Sequence, residues 1–196
     1  MIKGFELSKS LDKYLRYNGL LAFIIAYVFI LTSILVNPWF NLFKNALSDL
    51  GRLGLENNYI FNAGLILAAL TALTYIPSLL NFFKSKIGYM SVGVFLVAII
   101  HLLLIGVFPE GTKPHGFVSY EFFALMTSSL LLIGVSLIIE KLSKYGVLFI
   151  ILFLVSLGGS LLIAWPSIAL LELYNIILYN IGVATLTYLQ LKKPTT

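Results

Sequence analysis

The sequence predicts an all-α integral membrane protein, a bundle of six transmembrane helices, and three observations predict it. Hydrophobic residues are 60% of the 196 and charged residues only 11%, with a mean hydropathy of +1.00, whereas soluble domains run at about 45–50% apolar and about 25% charged. Six stretches are long and apolar enough to cross a bilayer core, which takes about 20 helical residues. With those six crossing, the 13 basic residues sort 10 to one side and 3 to the other. At this length the chain is most simply one domain.

The first span, Asn18–Val36, follows a polar, basic segment (residues 1–17), which is read as a cytoplasmic N-terminal segment. No small-residue cleavage site follows at the usual distance, so the span is read as retained rather than as a signal peptide. The second, Asn58–Leu80, carries Pro77 near its end, where the missing N–H ends or bends a helix. The third is Ile87–Val107 and the fourth Phe117–Ile139, softened by Glu121. The fifth is Tyr145–Trp165 and the sixth Ser167–Leu189, softened by Glu172. Residues 18–189 thus form the transmembrane domain and residues 190–196 a cytoplasmic tail. Gly158-Gly159 and Gly182 are expected where helices approach closely.

Orientation follows the positive-inside rule. Lys3, Lys9, Lys13, Arg16, Lys84, Lys86, Lys141, Lys144, Lys192 and Lys193 fall on one side, against Lys44, Arg52 and Lys113 on the other. Both termini are therefore expected in the cytoplasm of a cell-membrane protein. The loops Asn37–Asn57 and Phe108–Gly116, and the short one at Pro166, then face outward. Trp39, Phe40, Tyr59, Phe117, Tyr120 and Trp165 toward the outer side, with Tyr14, Tyr17, Phe82, Phe83 and Tyr145 toward the inner, form the expected interfacial belt. The net charge of +5 is accounted for by this sorting, with no nucleic-acid partner implied.

The candidate chemistry sits in the two longer outer loops and just below them. Asn45, Ser48, Asp49 and Glu56 lie in the first, with Glu110 and His115 in the second. His101, Glu121 and Glu172 lie within three different spans, four to six residues from the outer ends, which is roughly 6–9 Å of depth at 1.5 Å per residue. Ionisable groups in hydrocarbon cost several kcal/mol and normally face the bundle interior. A shared outward-facing polar pocket is therefore expected, lined by Asn45, Ser48, Asn58, Asn62, His101, Glu121 and Glu172. Asp49, His115 and Glu110 are the candidate catalytic groups. Asn45 or Ser48 also suits a purely structural role as a helix cap, a lone His101 suits a bond to backbone, and Glu172 can reach back to the interface.

Asp49, His101, Glu110 and His115 carry oxygen and nitrogen donors that a divalent metal could use. No HExxH or HxxxH spacing supports it, the two histidines being fourteen apart. A Ser48–His–Asp49 arrangement lacks the GxSxG elbow, and adjacent Ser and Asp point differently. There is no cysteine, which excludes thiol chemistry and disulfides. No Walker loop, dinucleotide fingerprint or flavin motif is present.

The stretch Asn45-x-Leu47-Ser48-Asp49-Leu50-Gly51, then Asn58 and Asn62, then Gly106-Val107-Phe108-Pro109-Glu110 with His115, resembles domain-of-unknown-function family 998, small multi-pass proteins of archaea and bacteria. The likeness runs from the first span to the sixth and implies the fold and topology. It implies no reaction, because that family carries no established activity. More distantly, Ser48-Asp49 after a first span and His115 at the outer end of a later one resemble the damage-regulated autophagy modulators. That likeness implies membrane lipid as the ligand.

The leading expectation is a protein that binds or modifies a lipid head group in the outer pocket. If it is an enzyme, hydrolysis or acyl transfer at an ester or phosphate fits best, with Asp49 or His115 as general base and Glu110 as a second acid/base or metal ligand. The alternatives are a small-solute or proton-coupled transporter with His101, Glu121 and Glu172 as relay groups, and a non-catalytic scaffold. Oligomeric state is not readable from the sequence.

Overall fold

The computed structural model describes residues 8–192, and these contain helices and turns but no strand. Eight α-helices and one 3-10 helix follow in order: α1 Lys9–Leu15, α2 Asn18–Val36, the 3-10 helix Leu47–Gly51, α3 Asn58–Leu73, α4 Ile76–Phe82, α5 Lys86–Val107, α6 His115–Ile139, α7 Ser143–Leu162 and α8 Ile168–Lys192. Six segments are long and apolar enough to cross a membrane, with α1–α2 (Leu11–Val36) and α3–α4 (Asn58–Phe82) each acting as one. The spans form a ring in chain order: α2 packs on α3, α3 on α5, α5 on α6, α6 on α7, α7 on α8, and α8 returns to α2. Side chains such as Leu154, Leu161 and Leu162 stay exposed on the outside of the ring, where lipid, not protein, is the apolar solvent.

The break between α3 and α4 is the effect of Pro77. A proline inside a continuous helix would lose a bond and clash with the carbonyl four residues back. The chain instead ends α3 at Leu73 and restarts at Ile76, with Pro77 in the first turn of α4, where a missing N–H costs nothing. Tyr75 at this break is fully buried. Its ring leaves no room for a side chain at position 19, since a Cβ on Gly19 would come within 2.9 Å of it.

Close approach is uneven along the ring. A Cβ on Gly146 would stand 2.6 Å from the Gly134 carbonyl oxygen, so α6 and α7 cross backbone to backbone. Gly159 lies against the Tyr174 phenol, and a Cβ on Gly182 would be 3.1 Å from Leu130. Gly158, expected at a contact, has nothing within 4 Å of where its Cβ would stand. Two members of the expected inner belt also differ: Phe82 and Phe83 are buried, packed edge-to-face at 5.0 Å. Tyr14, Tyr17, Trp39, Tyr59, Phe117 and Tyr120 are exposed.

The α6–α7 turn closes with Leu142 N–H on the Leu137 carbonyl at 2.8 Å and Lys141 N–H on Ile138 at 3.0 Å. Lys141 itself takes φ +64°, a left-handed position that such a helix terminus usually gives to glycine. Lys141→Gly is therefore expected to raise stability by about 1 kcal/mol, read as a higher unfolding midpoint in detergent.

The segment before Asn18 carries α1, whose Asp12 and Arg16 are buried. It packs on α4. At the other end, α8 continues through Lys192 with Gln190 buried. Residues 1–7 and 193–196 of the two expected cytoplasmic tails lie outside the described residues.

Candidate functional site

At the end of the ring away from the termini, three segments close into a cap: residues 37–57, residues 108–114 and the start of α8. Asn45 and Asp49 organise the first. One Asp49 carboxylate oxygen accepts from the Ala46 N–H at 3.0 Å and from the Asn45 side chain at 3.1 Å, and the other accepts from the Arg52 guanidinium at 2.9 Å. Asp49 thus reaches back to the first turn of its own 3-10 helix, a capping-box geometry read from the acidic end. The Asn45 side-chain oxygen takes the Asn41 N–H at 2.9 Å.

This loop is anchored to the bundle at five points. Glu172, inside α8, accepts the Leu47 N–H at 2.7 Å. Ala169 N–H donates to the Asn45 carbonyl at 2.9 Å, and the Ser167 hydroxyl donates to Leu42 at 2.6 Å. On α3, Asn62 donates to the Gly51 carbonyl at 2.9 Å and Asn58 to Arg52 at 3.0 Å. The i, i+4 asparagines therefore hold loop backbone, with Leu47 and Leu50 buried beneath. A Cβ on Gly51 would collide with the Asn62 side chain, which is why the loop has glycine there.

The second polar segment joins the first through the Leu53 N–H on the Glu110 carbonyl at 2.9 Å. Buried His115 opens α6. Its Nδ1 lies 2.8 Å from the Phe108 carbonyl, an acceptor only, so Nδ1 carries a proton. Its Nε2 faces the Glu110 carboxylate at 3.0 Å and the Ser119 hydroxyl at 3.3 Å. The Glu110 carboxylate and the His115 imidazole thus stand at hydrogen-bond distance, an acidic and a basic group from the two ends of one short segment. Glu172 reaches this cap from α8 through Leu47, Asp49 holds the first loop and Glu110 the second, so each of the three segments brings a carboxylate to it.

The sequence-derived candidates divide accordingly. Asn45, Asp49, Asn58, Asn62, Glu110, His115 and Glu172 belong to this connected cap. Ser48 sits in it with its hydroxyl unbonded among the described residues but, unlike a fully enclosed group, still reachable from outside. His101 stands elsewhere: its Nδ1 bonds the Val97 carbonyl at 2.9 Å, and its ring meets exposed Phe117 edge-on at 6.4 Å. Glu121 is half-buried in α6, with no hydrogen bond or ion pair joining it to the cap among the described residues. Among those residues, no three His, Asp or Glu side chains are grouped so as to hold a metal ion.

Two polar clusters had no place in the sequence reading. Near the terminus end, Arg16 pairs with Asp12 and donates to the Gln190 carbonyl at 3.0 Å. Ser78 donates to Asp12 at 2.8 Å, Gln190 to Ser78 at 3.1 Å and Tyr75 to Gln190 at 2.9 Å. The i, i+4 spacing of Asp12 and Arg16 was the available signal. Between α6, α7 and α8, Thr127, Ser156, Asn175 and Tyr179 bond one another at 2.6–3.0 Å, a polar seam of the kind that fastens membrane helices.

A family model described as "Protein of unknown function (DUF998)" matches residues 20–188 of the chain. No curated protein and no solved structure matches it.

Proposed function

The chain belongs to the DUF998 family, and from that premise and the geometry of the cap we propose that this multi-pass membrane protein binds the polar head group of a membrane lipid. In this reading it sits in the cell membrane with both termini cytoplasmic and the cap at the outer leaflet. The observation that carries the reading is the hydrogen bond by which Glu172, drawn from within the apolar length of α8, enters the cap that also holds Asp49 and Glu110. A carboxylate in that position costs several kcal/mol unless it is used. Three carboxylates against the one guanidinium bonded among them, Arg52, favour a head group that brings hydrogen-bond donors, hydroxyl or ammonium. The Ser48 hydroxyl adds a further group with no partner among the described residues.

Glu110–His115 is the pair suited to chemistry on such a lipid, at an ester or phosphate, because it sets a carboxylate and an imidazole nitrogen 3.0 Å apart in the cap, the groups that general acid–base catalysis uses. Asp49 is less suited to the base role the sequence suggested, since both its oxygens already hold the cap together. A proton relay through His101, Glu121 and Glu172 has no hydrogen-bonded path among the described residues, and nothing specific favours a scaffold.

Native mass spectrometry of gently purified protein tests the reading. Wild type is expected to retain a defined lipid class, and Asp49→Ala and His115→Ala each to lose about tenfold of it, as removal of charge-assisted bonds implies. An unchanged lipid profile in both variants sinks the proposal.

A further inference from the structure

Beneath the cap, inside the ring, lies a cavity of about 90 Å³ whose wall exposes no polar atom. Gly19, Ala22 and Ala26 on α2, Ala68 and Ala72 on α3, and Val183 on α8 leave the space. It extends along α2 from Gly19 to Ile30, roughly 16 Å at 1.5 Å per residue. Its volume is below the roughly 150 Å³ that takes a benzene, so it admits a few carbons of a chain rather than a compact ligand. Apolar cavities stay dry, and an unfilled one forfeits the contacts of its lining.

Three features give the cavity a polarity and a way in. Its upper lining includes Leu65 and Ile176, one helical turn below Asn62 and Glu172 of the cap. The α2 stripe that lines it, Ala22, Ala26 and Ile30, continues at Ser33, which is fully buried. The Ser33 hydroxyl has no hydrogen-bond partner, alone among the buried side-chain polar atoms of the described residues. Such an orphan normally costs about 1–3 kcal/mol. On the side of α2 facing α8, a single long hydrogen bond joins the two helices among the described residues, Asn180 to the Tyr27 hydroxyl at 3.5 Å. Tyr27 itself lines the cavity, while neighbouring Ile24 and Ile177 face the bilayer.

We propose that this cavity seats the first carbons of one hydrocarbon chain of a membrane lipid, which enters sideways between α2 and α8 and leaves its ester end toward the Ser33 hydroxyl below the cap. The inference rests on the reading of the cap as a head-group site and adds what holds the rest of the molecule. The Ser33 hydroxyl donates to the ester carbonyl, the head group reaches Glu172 and Asp49, and the chain fills the space left by the small residues.

The test is photolabelling in phosphatidylcholine vesicles containing a trace of phosphatidylethanolamine or, in a parallel sample, phosphatidylglycerol, each with a diazirine in one acyl chain. Their ammonium and hydroxyl heads carry the donors the cap calls for, and the label is mapped by peptide mass spectrometry. Wild type is expected to be labelled at Ala68, which is 1% exposed and out of reach of bilayer lipid. In Ala26→Phe and in Ala72→Leu, which fill the cavity, that label is expected to fall about tenfold. Leu67→Phe, on the bilayer face, should leave it unchanged. Label confined in wild type to bilayer-facing residues such as Leu67 and Ile24 overturns the proposal without recourse to any variant. So does an undiminished Ala68 label in a well-folded filled variant. The two readings separate in Asp49→Ala. Ala68 label that persists while the retained head-group class is unchanged refutes the cap and keeps the cavity. A changed head-group class with no Ala68 label in wild type does the reverse.

Discussion

Arg16→Met is expected to lower stability by about 3–5 kcal/mol, because it strands the buried Asp12 carboxylate without its counter-charge. Asp12 and Arg16 have side chains only 9% and 7% exposed, so water cannot make up the loss. What remains for Asp12 is the Ser78 hydroxyl at 2.8 Å, one neutral donor for a full charge. The same change removes the donor to the Gln190 carbonyl, and with it a fastening between the start of the first span and the end of the last. Denaturant titration in mixed micelles measures the effect. Asp12→Leu combined with Arg16→Met is expected to recover most of it, since burying no charge costs less than burying one alone. A loss below about 1 kcal/mol in the single variant would mean that the pair is solvated and the clamp is not structural.

That clamp also marks where the sequence stops being readable. The spans were legible because each apolar run is bounded by polar residues: Asn18–Val36 is the same in both accounts, and Pro77 broke its helix as its chemistry requires. The two polar loops were legible as one unit for the same reason, their residues having no business in hydrocarbon. Direction could not be read. Of His101, Glu121 and Glu172, expected at one depth, Glu172 meets the cap and His101 turns toward exposed Phe117. In helices that are apolar all round, periodicity carries no mark of the inward face. Partners far apart in sequence are equally hidden: Arg16 and Gln190 are 174 positions apart. The basic count placed Arg16 at the correct end of the bundle for its contacts with α8, but as a loop charge rather than half of a buried pair. Ser33 gave no signal at all, being one serine in an apolar run.

Gly146→Ala is expected to cost about 1–3 kcal/mol, from a single methyl group. Membrane helices gain little from apolar burial against each other, since lipid tails are as apolar as leucine, and depend on close packing instead. At the α6–α7 crossing that packing is backbone on backbone. The new methyl would stand 2.6 Å from the Gly134 carbonyl oxygen and 3.0 Å from the Ile138 nitrogen, neither of which can swing away as a side-chain tip can. The helices must separate instead, and the separation is felt along α6, whose first residue is His115. The paired control is Gly158→Ala on the same helix. No atom lies within 4 Å of the added carbon, and alanine is favoured over glycine in a helix by about 1 kcal/mol. The two substitutions are chemically identical and should move the unfolding midpoint in opposite directions. If Gly146→Ala were as well tolerated as Gly158→Ala, α6 and α7 would not cross at glycine.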